Sequence, residues 1–271
     1  MRKIAVINQK GGVGKTTSAV NLSAALAAEG HSTLLVDLDP QAHASLHLGV
    51  TLDQHEPNVY QVLTTDAAAT DVCRPASDHL WLMPSHIDLA ATEVELADMA
   101  GRELVLRHKL SALEGRFDYC LIDCPPSLGI LTLNALVAVD EVLIPLQPHF
   151  LALHGLSKLL ETIDLVSRRL NPGLKVLGVI LCLYESNTRL ANEVTRDVDE
   201  FFDHMRSRTT PWSESRAFST RVRRNIRLAE SPSFGKSIFD YAPTSVGAED
   251  YRQLCQEIFA PAVLSTSASA A

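Results

Sequence analysis

The run Lys10-Gly11-Gly12-Val13-Gly14-Lys15-Thr16-Thr17 constrains this chain more than any other feature. It follows a short apolar stretch, residues 3–8. It opens a stretch with helical apolar spacing, residues 16–29, carrying Val20, Leu22, Ala25 and Leu26. Strand, glycine turn and helix N-terminus in that order make an anion cradle. Glycines let backbone N–H groups converge on phosphate oxygens, and the helix end adds its dipole. Lys15 supplies a mobile cation for β- and γ-phosphates, and the Thr16 hydroxyl can ligate magnesium. The spacing G-x-x-x-x-G-K-[ST] is not matched in its usual form, but the context is that of a P-loop. ATP with Mg2+ is the expected ligand, contacted by Lys10, Gly11, Gly12, Val13, Gly14, Lys15, Thr16 and Thr17.

Short apolar runs then alternate with helical patterns. Strands are predicted at residues 33–37, 80–83, 118–123, 141–146 and 175–183, with helices at 128–139, 153–170 and 190–205. Alternation of this kind implies an α/β fold: a doubly wound, mostly parallel sheet flanked by helices, as in P-loop NTPases. With 271 residues and 46% hydrophobic content, one domain over residues 1–260 is expected, followed by a disordered tail at 261–271. Residues 206–217 read as a loop. The five cysteines include no CxxC pair, which fits reduced thiols. No apolar run reaches the ~18 residues that span a bilayer, so a cytoplasmic protein without a membrane partner is expected.

Two further strand ends carry carboxylates. Asp37-Leu38-Asp39-Pro40-Gln41 follows the 33–37 strand, and Asp123-Cys124-Pro125-Pro126 follows the 118–123 strand. In an open α/β sheet the C-terminal strand ends face the ligand. Asp39 is placed to orient the attacking water or to touch magnesium through water, and Asp37 to support the loop. Asp123 matches the Walker-B position that holds the metal's water shell. The metal set is therefore Thr16, Asp39 and Asp123. The catalytic set is Lys10, Lys15 and Asp39. No strong general base stands out, so hydrolysis should be slow.

Lys10 is not needed to bind phosphates within one subunit. The K-G-G-x-G-K-T run, the V-D-x-D-P-Q element and the D-x-P-P-x-x-G element resemble those of the ParA/MinD family of deviant Walker-A ATPases. The resemblance covers about residues 2–258. It implies a nucleotide-sandwich homodimer in which Lys10 reaches the partner's phosphates, with the logic of an arginine finger in trans. It also implies that Asp39 is required for hydrolysis.

The chain's net charge of −8 argues against nucleic acid as a partner, but residues 204–236 hold eight basic and two acidic side chains. That local excess suits phosphate contacts, and dimerisation would double it. Phe218 to Lys236 resembles the ParA (Soj-like) pattern F-x-T-x-I-P-R-N-V-R-L-x-E-A-P-S-x-G. Leu183 to Arg189 resembles the family's strand-to-helix segment, in which an arginine contacts DNA. Together the two resemblances imply DNA contact by Arg189 and Arg224, and by Arg221, Arg223, Arg227 and Lys236. It places the segment around Glu230 to Pro232 near the adenine. Arg223 stands where the family has proline, and 208–216 looks like an insertion. No helix-turn-helix precedes the P-loop, so binding to double-stranded DNA should be non-specific.

The resemblance implies a partition ATPase on the nucleoid, whose hydrolysis a ParB-like partner stimulates. The cargo would be a chromosome, a plasmid or, in a related ATPase, a protein assembly. A MinD-like membrane ATPase needs a basic amphipathic C-terminal helix, and no Lys or Arg follows Ile258. An iron–sulfur reductase needs paired cysteines at a dimer axis, and Cys124 has no evident mate.

Overall fold

The computed structural model describes residues 1–53, 55–186, 188–206 and 209–259. The strands are β1 (Arg2–Val6), β2 (Thr33–Asp37), β3 (Arg74–Ser77), β4 (Leu80–Met83), β5 (Tyr119–Asp123), β6 (Glu141–Leu146), β7 (Lys175–Tyr184), β8 (Arg216–Ala217) and β9 (Val222–Arg223). They form one sheet in the order β3-β4-β2-β5-β1-β6-β7-β8, with β9 also on β7. Among the described residues every strand pairing is parallel except that of β3 with β4.

Alternation along β1 shows why the sheet is covered on both sides. Ile4 and Val6 enter one core while Ala5 and Ile7 enter the other. The first core holds the P-loop helix (Lys15–Ala28) and the C-terminal helix (Val246–Phe259). The second holds the helices Ile130–Ala138, Ala152–Arg169 and Arg189–Met205. Strands buried on both faces read as continuous apolar runs, which is what made them legible. β2, β4 and β6 lie where the sequence placed them, and the other expected strands and helices shift by one or two residues.

The sequence reading also left several elements unplaced, and three of them shape the sheet and its cover. The antiparallel edge strand β3 carries Pro75, which weakens any strand signal. The C-terminal helix turns Ala248, Tyr251, Leu254, Cys255 and Ile258 inward at helical spacing. The 206–217 loop ends in β8: Pro211 O accepts from Val176 N–H at 2.8 Å and Ser215 Oγ donates to Val176 O at 2.5 Å, so the segment covers the open edge of β7. The expected tail at 261–271, and Arg208 of the expected insertion, lie outside the described residues. Among the described residues no helix is long and apolar enough to cross a membrane.

The register puts the chemistry in one row. β5 lies between β1 and β2, and Asp123 pairs with both Val6 and Asp37. The P-loop leaves β1 just beyond that row.

Candidate nucleotide site

Gly12 and Gly14 adopt φ of 73° and 94°, the left-handed region that side chains disfavour. A Cβ on Gly14 would also press on the Cys182 side chain at 3.3 Å, so β7 fixes how tightly the loop turns. Val13 is buried at 1% exposure, so it contributes backbone to the cradle while its side chain anchors the loop.

The two lysines diverge. Lys15 is 7% exposed and its Nζ donates to Lys10 O at 3.1 Å. Burial lowers its pKa, and the nearby Asp123 and Asp39 charges oppose that shift. Lys10 has its side chain exposed on the rim.

Asp123 is fully buried, and neither carboxylate oxygen has a hydrogen bond of acceptable geometry. Burial and then the Asp37 charge push its pKa well above the usual carboxylate range. The Thr16 hydroxyl and the Lys15 ammonium offset this only in part. An orphaned buried carboxylate is costly, so the site is short of positive charge and of donors. A hydrated divalent cation supplies both. The oxygen donors available, Thr16, Asp123 and nucleotide phosphates, suit magnesium, which keeps several of its waters. Among the described residues no group of three or more His, Cys, Asp or Glu could hold a metal without such help.

Asp37 is satisfied differently. Its Oδ2 accepts from Ser45 N–H at 2.8 Å and Ser45 Oγ at 2.7 Å, and burial raises its pKa to about 6. It supports the loop, as its position suggested. Asp39 is 7% exposed, and its Oδ1 accepts from Gln41 N–H at 2.9 Å. Ser85 Oγ pins the Asp39 carbonyl at 2.7 Å.

These parts line a cleft of ≈ 780 Å³. Gly11, Gly12, Gly14, Lys15, Thr16, Thr17 and Asp39 form one side. Cys182, Leu183, Val222, Arg223, Arg224, Asn225, Ile226, Leu228, Ala229 and Tyr251 form the other, and Gln41, His43 and Pro126 also line it. The 218–236 motif supplies much of the second group, but only the fold brings it, with Cys182 and Tyr251, across from the phosphate loop. Pro232 is not among the lining residues. Its 3-10 turn, Ser231–Phe234, is held elsewhere: Ser231 Oγ lies 3.3 Å from His47 Nε2, and Gly235 packs on Gly49. Asn225, Ile226, Leu228 and Ala229, just before that turn, do line the cleft.

The basic residues split by partner. Arg189 begins its helix and is exposed, as is Lys236, and neither makes an ion pair among the described residues. Arg224, on the cleft rim, pairs with Glu185 at 2.6 Å, and Arg227 with Glu230 at 2.8 Å. Arg221 lies over the Tyr184 ring at 5.9 Å. Arg223 is bound to the buried Asp250. Cys124 is fully buried and its thiol pKa is raised, mainly by burial, so it is not presented at a surface as a cluster ligand would be.

Comparison with known proteins agrees with this site. A family model described as an AAA domain matches residues 1–176. The chain is 45% identical over 258 residues to the chromosome partitioning protein ParA of Myxococcus xanthus, covering 95% of this chain and 87% of that one. It is 43% identical over 258 residues to the sporulation initiation inhibitor protein Soj of Bacillus subtilis, covering 95% and 98%. A solved structure named cobyrinic acid a,c-diamide synthase, from Mycobacterium smegmatis with bound ADP and magnesium, superposes with TM-score 0.79 at 37% identity, covering 94% of this chain and 93% of that one. A buried Lys15, an orphaned Asp123 and an exposed Lys10 on one loop system, joined to relatives that span nearly the whole chain, place the protein in the ParA/Soj group of the ParA/MinD family of deviant Walker-A P-loop ATPases.

Proposed function

We propose that this chain is a ParA-type ATPase whose ATP-bound homodimer binds double-stranded DNA without sequence preference. Hydrolysis, stimulated by a ParB-like protein, releases the DNA. The observation that carries the reading is the divergence of Lys10 from Lys15. One lysine is turned into its own loop, and the other is exposed on the rim of the same loop. An exposed rim lysine is placed to serve a nucleotide held by a second subunit, as an arginine finger does.

In this reading Gly11 to Thr17 hold the phosphates and Lys15 neutralises the β- and γ-oxygens. Thr16 and Asp123 would hold Mg2+, which offsets charge on the phosphates when bound. Asp39, fixed through Gln41 and Ser85, orients the attacking water. Arg189, Arg221, Arg224, Arg227 and Lys236 supply the DNA contacts, with Arg224 both on the cleft rim and in the basic segment. Pro232, in the turn just after the lining residue Ala229, would lie near the adenine without lining the cleft. The protein would act in the cytoplasm on the nucleoid, moving a chromosome, a plasmid or a protein cargo. The face of the helix Val246–Phe259 that carries Tyr251, Leu254 and Ile258 is packed into the core and is not offered to a membrane surface.

The test is DNA binding with ADP, with ATP, and with ATP plus Asp39→Ala. Binding is expected only with ATP and should persist in Asp39→Ala, where hydrolysis stops. Arg224→Glu should abolish DNA binding and leave ATP binding intact. Equal DNA affinity with ADP and ATP would refute the switch.

A further inference from the structure

We propose that Asp250 is a positioning residue for the DNA contact: from the C-terminal helix it holds Arg223 as a strut, and through Arg223 it sets Arg224 at the cleft rim. The inference rests on the functional reading above and assigns Arg223 a role other than phosphate contact.

Asp250 is 2% exposed. Its carboxylate accepts the Arg223 backbone N–H at 2.9 Å and Arg223 Nε at 3.0 and 3.1 Å, and Arg223 Nη2 donates to Oδ1 as well. The other candidate pairs are open to water. Glu185 is 50% and Glu230 35% exposed, whereas the arginines themselves are alike, Arg223 at 49%, Arg224 at 61% and Arg227 at 54%, so the burial of its partner is what sets Arg223 apart. An exposed pair is weak and exchanges readily for a phosphate. Pulling Arg223 away would instead leave a buried, unpaired carboxylate, which is strongly unfavourable. Arg224 and Arg227 are therefore free to turn to DNA, and Arg223 is not.

The strut sits where it controls its neighbours. Arg223 pairs with Tyr184 on β7, and the next N–H, that of Arg224, bonds Tyr184 O at 3.3 Å. Val222, on its other side, is 3% exposed and lines the cleft. The residue after Asp250 is Tyr251, whose hydroxyl lies 3.1 Å from Ser18 Oγ on the P-loop helix. Adjacent residues of one helix thus hold the nucleotide loop's helix and the DNA-facing segment.

The experiment measures affinity of the ATP-bound protein for a random-sequence duplex over a salt series. It compares wild type, Arg224→Gln, Arg223→Gln, Asp250→Asn and the Arg223→Gln/Asp250→Asn double variant. Arg224→Gln should flatten the slope of log affinity against log salt by about 0.9, one phosphate contact. Arg223→Gln and Asp250→Asn should each weaken binding about tenfold at every salt, with the slope unchanged. The double variant should be no weaker than either single one, because both remove the same interaction. Limited trypsin digestion without DNA should cut faster after Arg224 in both single variants. Should Asp250→Asn fail to fold, Arg223→Gln, altering a half-exposed side chain, carries the test alone. A slope flattened by Arg223→Gln as much as by Arg224→Gln overturns the proposal, as does wild-type affinity in the variants. A wild type that binds no duplex with ATP overturns the functional reading and this proposal together. A wild type with the expected slope and unaffected variants overturns this proposal only.

Discussion

Asp37 and His47 are buried ten residues apart and act on stability in opposite directions. Burial raises Asp37 from 3.8 to about 6 and lowers His47 from 6.5 to about 4. Between those His47 values the unfolded imidazole holds a proton that the folded one lacks, so stability falls as pH falls through the window. Over nearly the same window folded Asp37 holds a proton that the unfolded carboxyl has released, so its contribution rises as pH falls. The two offset. His47→Gln removes one of them: relative to wild type, its unfolding free energy should gain about 2 kcal/mol between pH 7.5 and pH 5 in urea titrations. A pH-independent difference would show that His47 is not held neutral. At this scale Asp37, Asp39 and Asp123 were readable, because strand ends give carboxylates a place. His47 was not, because Ser231, from the other end of the chain, completes its burial.

At the scale of elements, the loop carrying Asp39 is joined to the C-terminal motif by glycine packing. Gly235 has φ of 63°, and a Cβ there would meet Gly49 Cα at 2.7 Å. Gly30 has φ of 88° with nothing within 4 Å. Both alanine variants suffer left-handed strain, about 1 kcal/mol each, and Gly235→Ala adds the collision. Thermal unfolding should therefore show Gly235→Ala about 1–3 kcal/mol less stable than Gly30→Ala. Equal losses would mean that the contact yields freely. The segment at 209–217 belongs to the same scale. Its hydrogen bonds to Val176 show that it shields the sheet edge, an assignment invisible in a polar stretch interrupted by Pro211.

For the whole molecule, the proposed assembly makes a prediction about subunits. Lys10→Ala should bind ATP close to wild type, because Lys15 and the loop backbone are untouched. Its hydrolysis should fall about 10³-fold, the scale of a lost finger. Mixing it with Asp39→Ala protein should restore turnover, since one site of the mixed dimer then has both an intact Asp39 and a Lys10 supplied from across the interface. Absence of any restoration, in an assay of phosphate release, would count against action in trans. Light scattering with ATP should show the doubled mass independently.

The sequence by itself determined the phosphate loop, the three carboxylates at strand ends, the parallel order of most strands and the local excess of arginine. Each follows from contiguous residues: backbone freedom at glycine, apolar runs of strand length, and charge density along the chain. Only the tertiary structure decided which residues complete the cleft, because Leu183, Asn225 and Tyr251 come to line it with Lys15 by packing and not by spacing. It alone also sorted the arginines. Arg223 and Arg224 are neighbours of identical chemistry, and burial separates them: one faces Asp250 at 2% exposure, the other a half-exposed Glu185. Desolvation depends on what lies across the fold, and no local pattern encodes it.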